Sequence, residues 1–411
     1  MTTDFLPPAI DDAEWHRRSR SVIAGGASTG SKRASAMYGS EEADLPTHFS
    51  HAAGCRLTTA GGIELVDCTM ALGAVALGYA DENVTHAVQE AAAQGNVAGL
   101  SHQLEVEVAE RLRDVIPCAE QVRFLKSGAE GVAAAVRIAR AHTGRSRVVG
   151  CGYFGWLDWW SDLPGVPAGA HADFTAVPFD DIPALESACA TAGDTLAAIV
   201  IEPVIERLPS TAWIESTRRL ADERHAILIF DEIKTGFRLK PAGYQEYSGI
   251  VPDLAVFGKA LANGYPLSAV VGSEEIMSAA AKTWISSTLA GESVALAAAN
   301  AVLDWHHQAD VCASLADVGD EMMTAVGRAI IASGTSGVAV RGIAPMWYID
   351  FGGDEERERR FLAIAVENGV LFKRGAYNFP SLAHEEEDVA VIEEAASEAF
   401  VRLRDHDDAD R

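Results

Sequence analysis

Ile229-Phe230-Asp231-Glu232-Ile233-Lys234-Thr235-Gly236-Phe237-Arg238 is an apolar run that ends in an acid and passes into a turn-rich stretch. A second apolar run, Leu254-Ala255-Val256-Phe257, ends in Gly258 and Lys259, and the lysine lies 28 residues (259 − 231) after the acid. Each run reads as a buried strand, so each reactive group falls at a strand's carboxyl end. Open α/β sheets bind ligands there. An acid and a lysine so placed suit pyridoxal phosphate: the lysine forms the Schiff base and the acid pairs with the pyridinium nitrogen.

Working outward, strands and helices alternate. Gln121–Leu125, Arg147–Gly150, Leu196–Ile201, Ala226–Phe230 and Ala269–Gly272 read as strands. Helices are expected over Val84–Gln94, Glu105–Val115, Ala129–His142, Ser216–Arg224 and Ala295–His307, with a short one near Ala13–Ile23. This alternation predicts an α/β architecture around a mostly parallel, helix-covered sheet. The expected organisation is an N-terminal segment over 1–60, a large domain over 61–310, and a small α+β domain over 311–411 that ends in a helix over Glu387–Arg404. The acidic tail Asp405 to Asp410 is expected to fray.

Composition narrows the function. The chain has 411 residues, 48% hydrophobic and 22% charged, which suits a globular protein with a large core. Its net charge of −26 argues against nucleic acid or an anionic membrane as partner. No apolar stretch is long enough to span a bilayer. Met1 to Asp12 lacks a basic region followed by an apolar core, so no leader is expected. Cys55, Cys68, Cys118, Cys151, Cys189 and Cys312 form no C-x-x-C pair. Neither a zinc site nor a disulfide framework follows, and a reduced, cytoplasmic setting fits best.

Three further stretches carry chemistry. Lys126-Ser127-Gly128-Ala129-Glu130 joins a strand to a helix, where small residues and backbone N–H groups suit a phosphate; an ordinary serine cap is the plainer reading. In Tyr153-Phe154-Gly155-Trp156 an aromatic could stack on a cofactor ring or pack in the core. Trp159 and Trp160 line a substrate mouth or fill space.

Together with Glu202-Pro203-Val204, Gly264-Tyr265-Pro266-Leu267, Thr288-Leu289-Ala290-Gly291 and Pro380-Ser381-Leu382-Ala383-His384, these motifs stand in one order. The chain resembles class III aminotransferases, in the glutamate-1-semialdehyde aminomutase-like branch, over roughly residues 20 to 400. The resemblance implies the aspartate aminotransferase-like fold type I, with a seven-stranded sheet in the large domain. It implies pyridoxal 5'-phosphate on Lys259, with Asp231 at the ring nitrogen, Ile233 behind the ring and Tyr153, next to Phe154, in front. Ser127, Gly128 and Ala129 would hold the phosphate, and Thr288 would reach it from a second subunit of a homodimer whose active sites are shared. Glu202 and Arg207 would lie near the ring hydroxyl or the substrate. His384 is expected to pack or cap.

Three departures bear on the substrate. The family's G-G-V-N-S-P-V-R, whose arginine holds a carboxylate, reads Gly25-Gly26-Ala27-Ser28-Thr29-Gly30-Ser31-Lys32 here, with Arg33 one position off. Lysine lacks arginine's bidentate fork. Gly291-Glu292-Ser293 replaces G-N-P, and Phe372–Phe379 holds no acid. With Trp156 nearby, these changes favour an acceptor without an α-carboxylate, such as an oxidised amino sugar or aminocyclitol of antibiotic biosynthesis. The expected activity is therefore transfer of an amino group from a donor amine to a ketone or aldehyde. An aminomutase, an epimerase at an amine-bearing carbon, and a cofactor-binding sensor without turnover are the alternatives.

Overall fold

The computed structural model describes residues 11–41 and 45–409. Met1–Ile10, on which most of the leader expectation rests, and Asp410 of the acidic tail lie outside them. The chain folds as two units, Glu82–Ala313 and Met1–Asp81 with Ser314–Arg411.

In the first unit, seven strands form one sheet. In chain order they are β1 (Gln121–Leu125), β2 (Arg147–Cys151), β3 (Phe174–Ala176), β4 (Leu196–Ile201), β5 (Ile227–Asp231), β6 (Leu254–Phe257) and β7 (Ser268–Gly272). Their spatial order is β1-β7-β6-β5-β4-β2-β3. β7 runs antiparallel to both its neighbours, and every other pairing is parallel. The central strands β4, β5 and β6 are buried along their whole lengths, as continuous apolar runs covered on both faces require. The Gly128–Thr143 helix packs its alanine, valine and isoleucine face against them in one apolar core.

Parallel register aligns the strand ends. Ile201 stands opposite Phe230, and Asp231 opposite Val256. Residues just past these points, Glu202, Asp231 itself and Gly258-Lys259, therefore emerge at one edge of the sheet.

The second unit holds a four-stranded sheet of Phe49–Ala53, Arg56–Thr59, Glu64–Asp67 and Val370–Leu371, and a hairpin of Ala339–Ile343 with Met346–Asp350. Its long helices are Glu355–Glu367 and Glu386–Ala409, with Val311–Ser333 from Ser314 onward. The last helix continues through Asp405 and on to Ala409, so the acidic tail is helical there rather than frayed. Among the described residues no helix is long and apolar enough to cross a membrane.

Candidate active site

Asp231 ends β5 with its side chain buried, and its Oδ1 accepts the Ile233 N–H at 3.1 Å. Burial first, and the charge of Glu202 second, push its carboxyl up to about 8; the Ile233 N–H, Lys259 and Lys234 oppose that rise. Lys259 follows β6 in a left-handed conformation, φ 47°. Burial lowers its amine, the positive charge of Lys234 adds to the lowering, and Glu202 and Asp231 resist it. The two groups thus sit in one low-dielectric cluster that disfavours lone charges.

Glu202 lies beside them. Its Oε1 accepts from Lys234 Nζ at 2.6 Å, and its Oε2 accepts the Tyr153 N–H at 3.0 Å. Gly152, with φ 139°, permits this approach, since a β-carbon there would stand 2.4 Å from Glu202 Cβ.

The phosphate side begins at Ser127, which caps the Gly128–Thr143 helix. Its Oγ accepts the Glu130 N–H at 3.3 Å, and Glu130 Oε2 accepts the Ser127 N–H at 2.9 Å. This is a capping box. The plainer reading of Ser127 therefore holds, yet the cap leaves the Gly128 and Ala129 N–H groups without a partner inside the helix. A β-carbon on Gly128 would come within 2.5 Å of Ile233 Cδ1, and one on Gly155 within 2.3 Å of Ala129 Cβ. The helix N-terminus is thus in contact with the residue after Asp231-Glu232 and with the Tyr153-Phe154-Gly155 turn.

The structure brings Ser127, Gly128, Ala129, Tyr153, Glu202, Asp231, Ile233 and Lys259 to this edge of the unit. Other expected residues lie elsewhere or are committed. Phe154 is a core residue, packed edge-on to Trp160 and Phe174 and against Trp159, so both tryptophans fill space. Tyr153 and Trp156 are largely exposed. Arg207 pairs with Asp180 at 2.6 Å and lies over the Phe179 ring. Glu292 is no free acid: it caps the Ser293–Gln308 helix by accepting the Val294 and Ala295 N–H groups, and it pairs with Lys126 Nζ at 2.7 Å. Thr288 is exposed and lines a cavity of about 530 Å³ with Gly95–His102 and Arg123. In the other unit, Lys32 lines a mostly apolar cavity of about 410 Å³ with Tyr38, Leu65 and Tyr79. Arg33 lies against Gly25. His384 Nδ1 accepts the Ser381 N–H at 3.1 Å, as a packing residue does.

Sequence reading missed two buried charged residues beside the site. Lys234 pairs with Glu202, 32 residues away (234 − 202), and no local pattern reveals such a pair. Glu232 is fully buried and accepts from Thr235 Oγ1 and from the Tyr244 and Gln245 N–H groups. Burial still pushes it up to about 7.

The residues at this edge fit pyridoxal phosphate. The open helix N-terminus suits the phosphate, the buried acid a protonated ring nitrogen, and a lysine with a weakened hold on its proton the aldehyde.

Known proteins agree. The structure superposes on the FumI protein of Sphingopyxis sp. MTA144, solved in its PLP internal aldimine form, with a TM-score of 0.90 and 26% identity over 96% of this chain and 97% of that one. In sequence, a glutamate-1-semialdehyde 2,1-aminomutase of Methanothermobacter thermautotrophicus is 31% identical, covering 95% of this chain and 99% of the relative. A 3-aminobutyryl-CoA aminotransferase of Cloacimonas acidaminovorans is 29% identical, covering 88% and 90%. The family model "Aminotransferase class-III" matches residues 37–155 and 166–400. Fold and site together define a pyridoxal-phosphate-dependent enzyme of fold type I. The chain belongs to the class III aminotransferases.

Proposed function

We propose that this enzyme moves an amino group from a donor amine to a ketone or aldehyde, with Lys259 as the cofactor lysine and proton carrier. The observation that carries the reading is the buried Asp231 and the half-buried Lys259 at the ends of adjacent parallel strands. When bound, the cofactor supplies an electron sink for the carbanion formed at the amine-bearing carbon. Lys259 would hold the cofactor through Nζ and, when the substrate amine takes its place there, would serve as the proton carrier at the amine-bearing carbon. Asp231 would hold the ring nitrogen's proton, Ile233 and Tyr153 would pack against the ring, and the Gly128 and Ala129 N–H groups with Ser127 would bind the phosphate.

The assembly we propose is a homodimer in which Thr288 of a second copy completes the phosphate site. Trp284 is 89% exposed and Leu100 87% exposed, with Leu289 nearby in sequence also exposed. Leu100 lines the same cavity as Thr288, so apolar surface left open beside Thr288 supports a covered face there.

The acceptor we propose lacks an α-carboxylate. Lys32 in place of a bidentate arginine supports this, as does a relative whose name places the amine at C3 of an acyl-CoA. An oxidised amino sugar or aminocyclitol of antibiotic biosynthesis belongs to this class and suits the acidic chain. Glu292 lends that choice no support, because its carboxylate is engaged. The aminomutase relative favours intramolecular transfer as a second reading.

Absorbance of the cofactor-loaded enzyme separates the two. A donor amine that converts the yellow form to the pyridoxamine form, with release of a free carbonyl product, supports transfer between molecules. Rearranged product without carbonyl release supports the aminomutase. If no amino sugar or aminocyclitol discharges or reloads the cofactor, that acceptor class falls.

A further inference from the structure

Lys234 is the one member of the strand-end cluster to which neither the motif reading nor the proposed chemistry gives a task. Its place follows from register. Asp231 faces Val256 across β5 and β6. Lys234 lies three residues past Asp231 (234 − 231), and Lys259 three residues past Val256 (259 − 256). Glu202, one residue past Ile201, leaves the neighbouring strand β4 at the same level. Two carboxylates and two amines therefore crowd the ends of three adjacent strands.

Lys234 is fixed there. Its side chain is 7% exposed and that of Glu202 14% exposed, with Nζ and Oε1 2.6 Å apart. Glu202 is itself held by the Tyr153 N–H on its other oxygen, and its backbone N–H donates to Cys151 O at 2.8 Å. A flexible surface lysine would spread its charge into water; a buried, anchored one acts on its neighbours through a low dielectric.

We propose that Lys234 is a positioning residue: anchored on Glu202, it holds a second buried positive charge in the Asp231–Lys259 cluster, and that charge weakens the grip of Lys259 Nζ on its proton. The proposal rests on Lys259 being the cofactor lysine. The charged groups acting on Lys259 are Lys234, Arg238, Glu202 and Asp231. Lys234 and Arg238 favour the neutral amine, whereas the two carboxylates favour the ammonium, and ring-nitrogen binding engages Asp231. Of the two cations, Lys234 acts on Lys259 more strongly than Arg238, and it is the one paired with Glu202, which otherwise would raise the proton affinity of Nζ. Removing one partner of a buried pair destabilises the fold whatever the pair's role, because the other charge is left unpaired, so the test reads the proton on Lys259 rather than stability.

The test is a pH titration of the visible absorbance of the purified, cofactor-loaded enzyme, which reports the proton on Lys259 Nζ. Lys234→Met is expected to raise the midpoint by at least about one pH unit, a tenfold gain in proton affinity. Lys234→Gln keeps a hydrogen bond to Glu202 without the charge and is expected to show the same rise, so the test stands if the methionine variant fails to fold. Lys234→Arg is expected to titrate like the wild type. Uncharged variants whose midpoints stay within about 0.3 unit of wild type, or an arginine variant that shifts as far as they do, overturn the proposal. A wild-type protein that shows no visible band with the cofactor overturns the assignment of Lys259 and this proposal with it.

Discussion

Gly128 and Ile233 meet where a β-carbon has no room: one built on Gly128 would stand 2.5 Å from Ile233 Cδ1. The helix N-terminus that offers N–H groups to a phosphate therefore touches the residue proposed to back the ring. Gly128→Ala pushes Ile233 aside or lifts the first helical turn. Alanine is the better helix former, so the loss is expected in binding rather than in folding. The expected outcome is a cofactor Kd raised at least about tenfold, roughly 1.4 kcal/mol, with a thermal midpoint close to wild type. Spectroscopic titration of cofactor into the stripped protein, beside a melting curve, checks both.

The Lys259 and Asp231 variants should fail differently. Lys259→Ala removes the proposed nucleophile, so borohydride treatment followed by mass spectrometry should find no cofactor attached to the Phe257–Leu261 peptide, and turnover should fall by at least about a thousandfold. Asp231→Asn leaves the lysine in place. Covalent attachment should persist, while kcat drops by about a hundredfold or more because the ring nitrogen no longer keeps its proton. An asparagine variant with near wild-type kcat would remove Asp231 from its proposed role.

Glu232 is a stability residue. Fully buried, it accepts three hydrogen bonds, from Thr235 Oγ1 and the Tyr244 and Gln245 N–H groups. Gly243 stands against it, because a β-carbon there would lie 2.2 Å from Glu232 Oε2. Glu232→Gln turns an N–H₂ toward those donors and is expected to cost about 1–3 kcal/mol. The pH dependence has a definite sign. Burial pushes the folded carboxyl up to about 7 from its ordinary 4.5, so between those values the native state holds a proton that the unfolded chain has lost. This contribution to stability is present below the unfolded pKa and declines as pH rises through the window, roughly 1.4 kcal/mol per pH unit. The gap between wild type and Glu232→Gln should narrow from pH 5 to pH 8 in denaturant melts; a gap that widens contradicts the assignment.

Much of the large sheet was legible because its strands are short apolar runs between turn residues. Gln121–Leu125, Leu196–Ile201 and Leu254–Phe257 fall where those runs lie. The hairpin of Phe49–Ala53 and Arg56–Thr59 was not legible: its residues are mostly exposed or half-buried, so no burial pattern marks it. Phe174–Ala176 is a three-residue edge strand, too short for any period to show. In the site, Asp231 and Lys259 were visible because each ends such a run. Glu292 was visible as an acid, but its use as a helix cap and as the partner of Lys126 depends on a contact 166 residues away (292 − 126). The Lys234–Glu202 pair was hidden for the same reason: strand register joins the two residues, and sequence distance separates them.

Trp284 carries the last prediction. At 89% exposure it is the most solvent-open large apolar side chain of its unit, with Leu100 at 87%. A second copy of the chain is the proposed cover, because Thr288, four residues on (288 − 284), is the residue proposed to reach a neighbouring phosphate site. Burying a tryptophan at an interface contributes on the order of 2 kcal/mol or more, so Trp284→Asp should shift the protein toward monomer in sedimentation velocity. If Thr288 serves the neighbouring site, the same variant should also hold its cofactor at least about tenfold more weakly, whereas Thr288→Ala should weaken the cofactor without changing the mass of the assembly. A wild-type protein that sediments as a monomer with full cofactor occupancy would contradict both the dimer and the shared site.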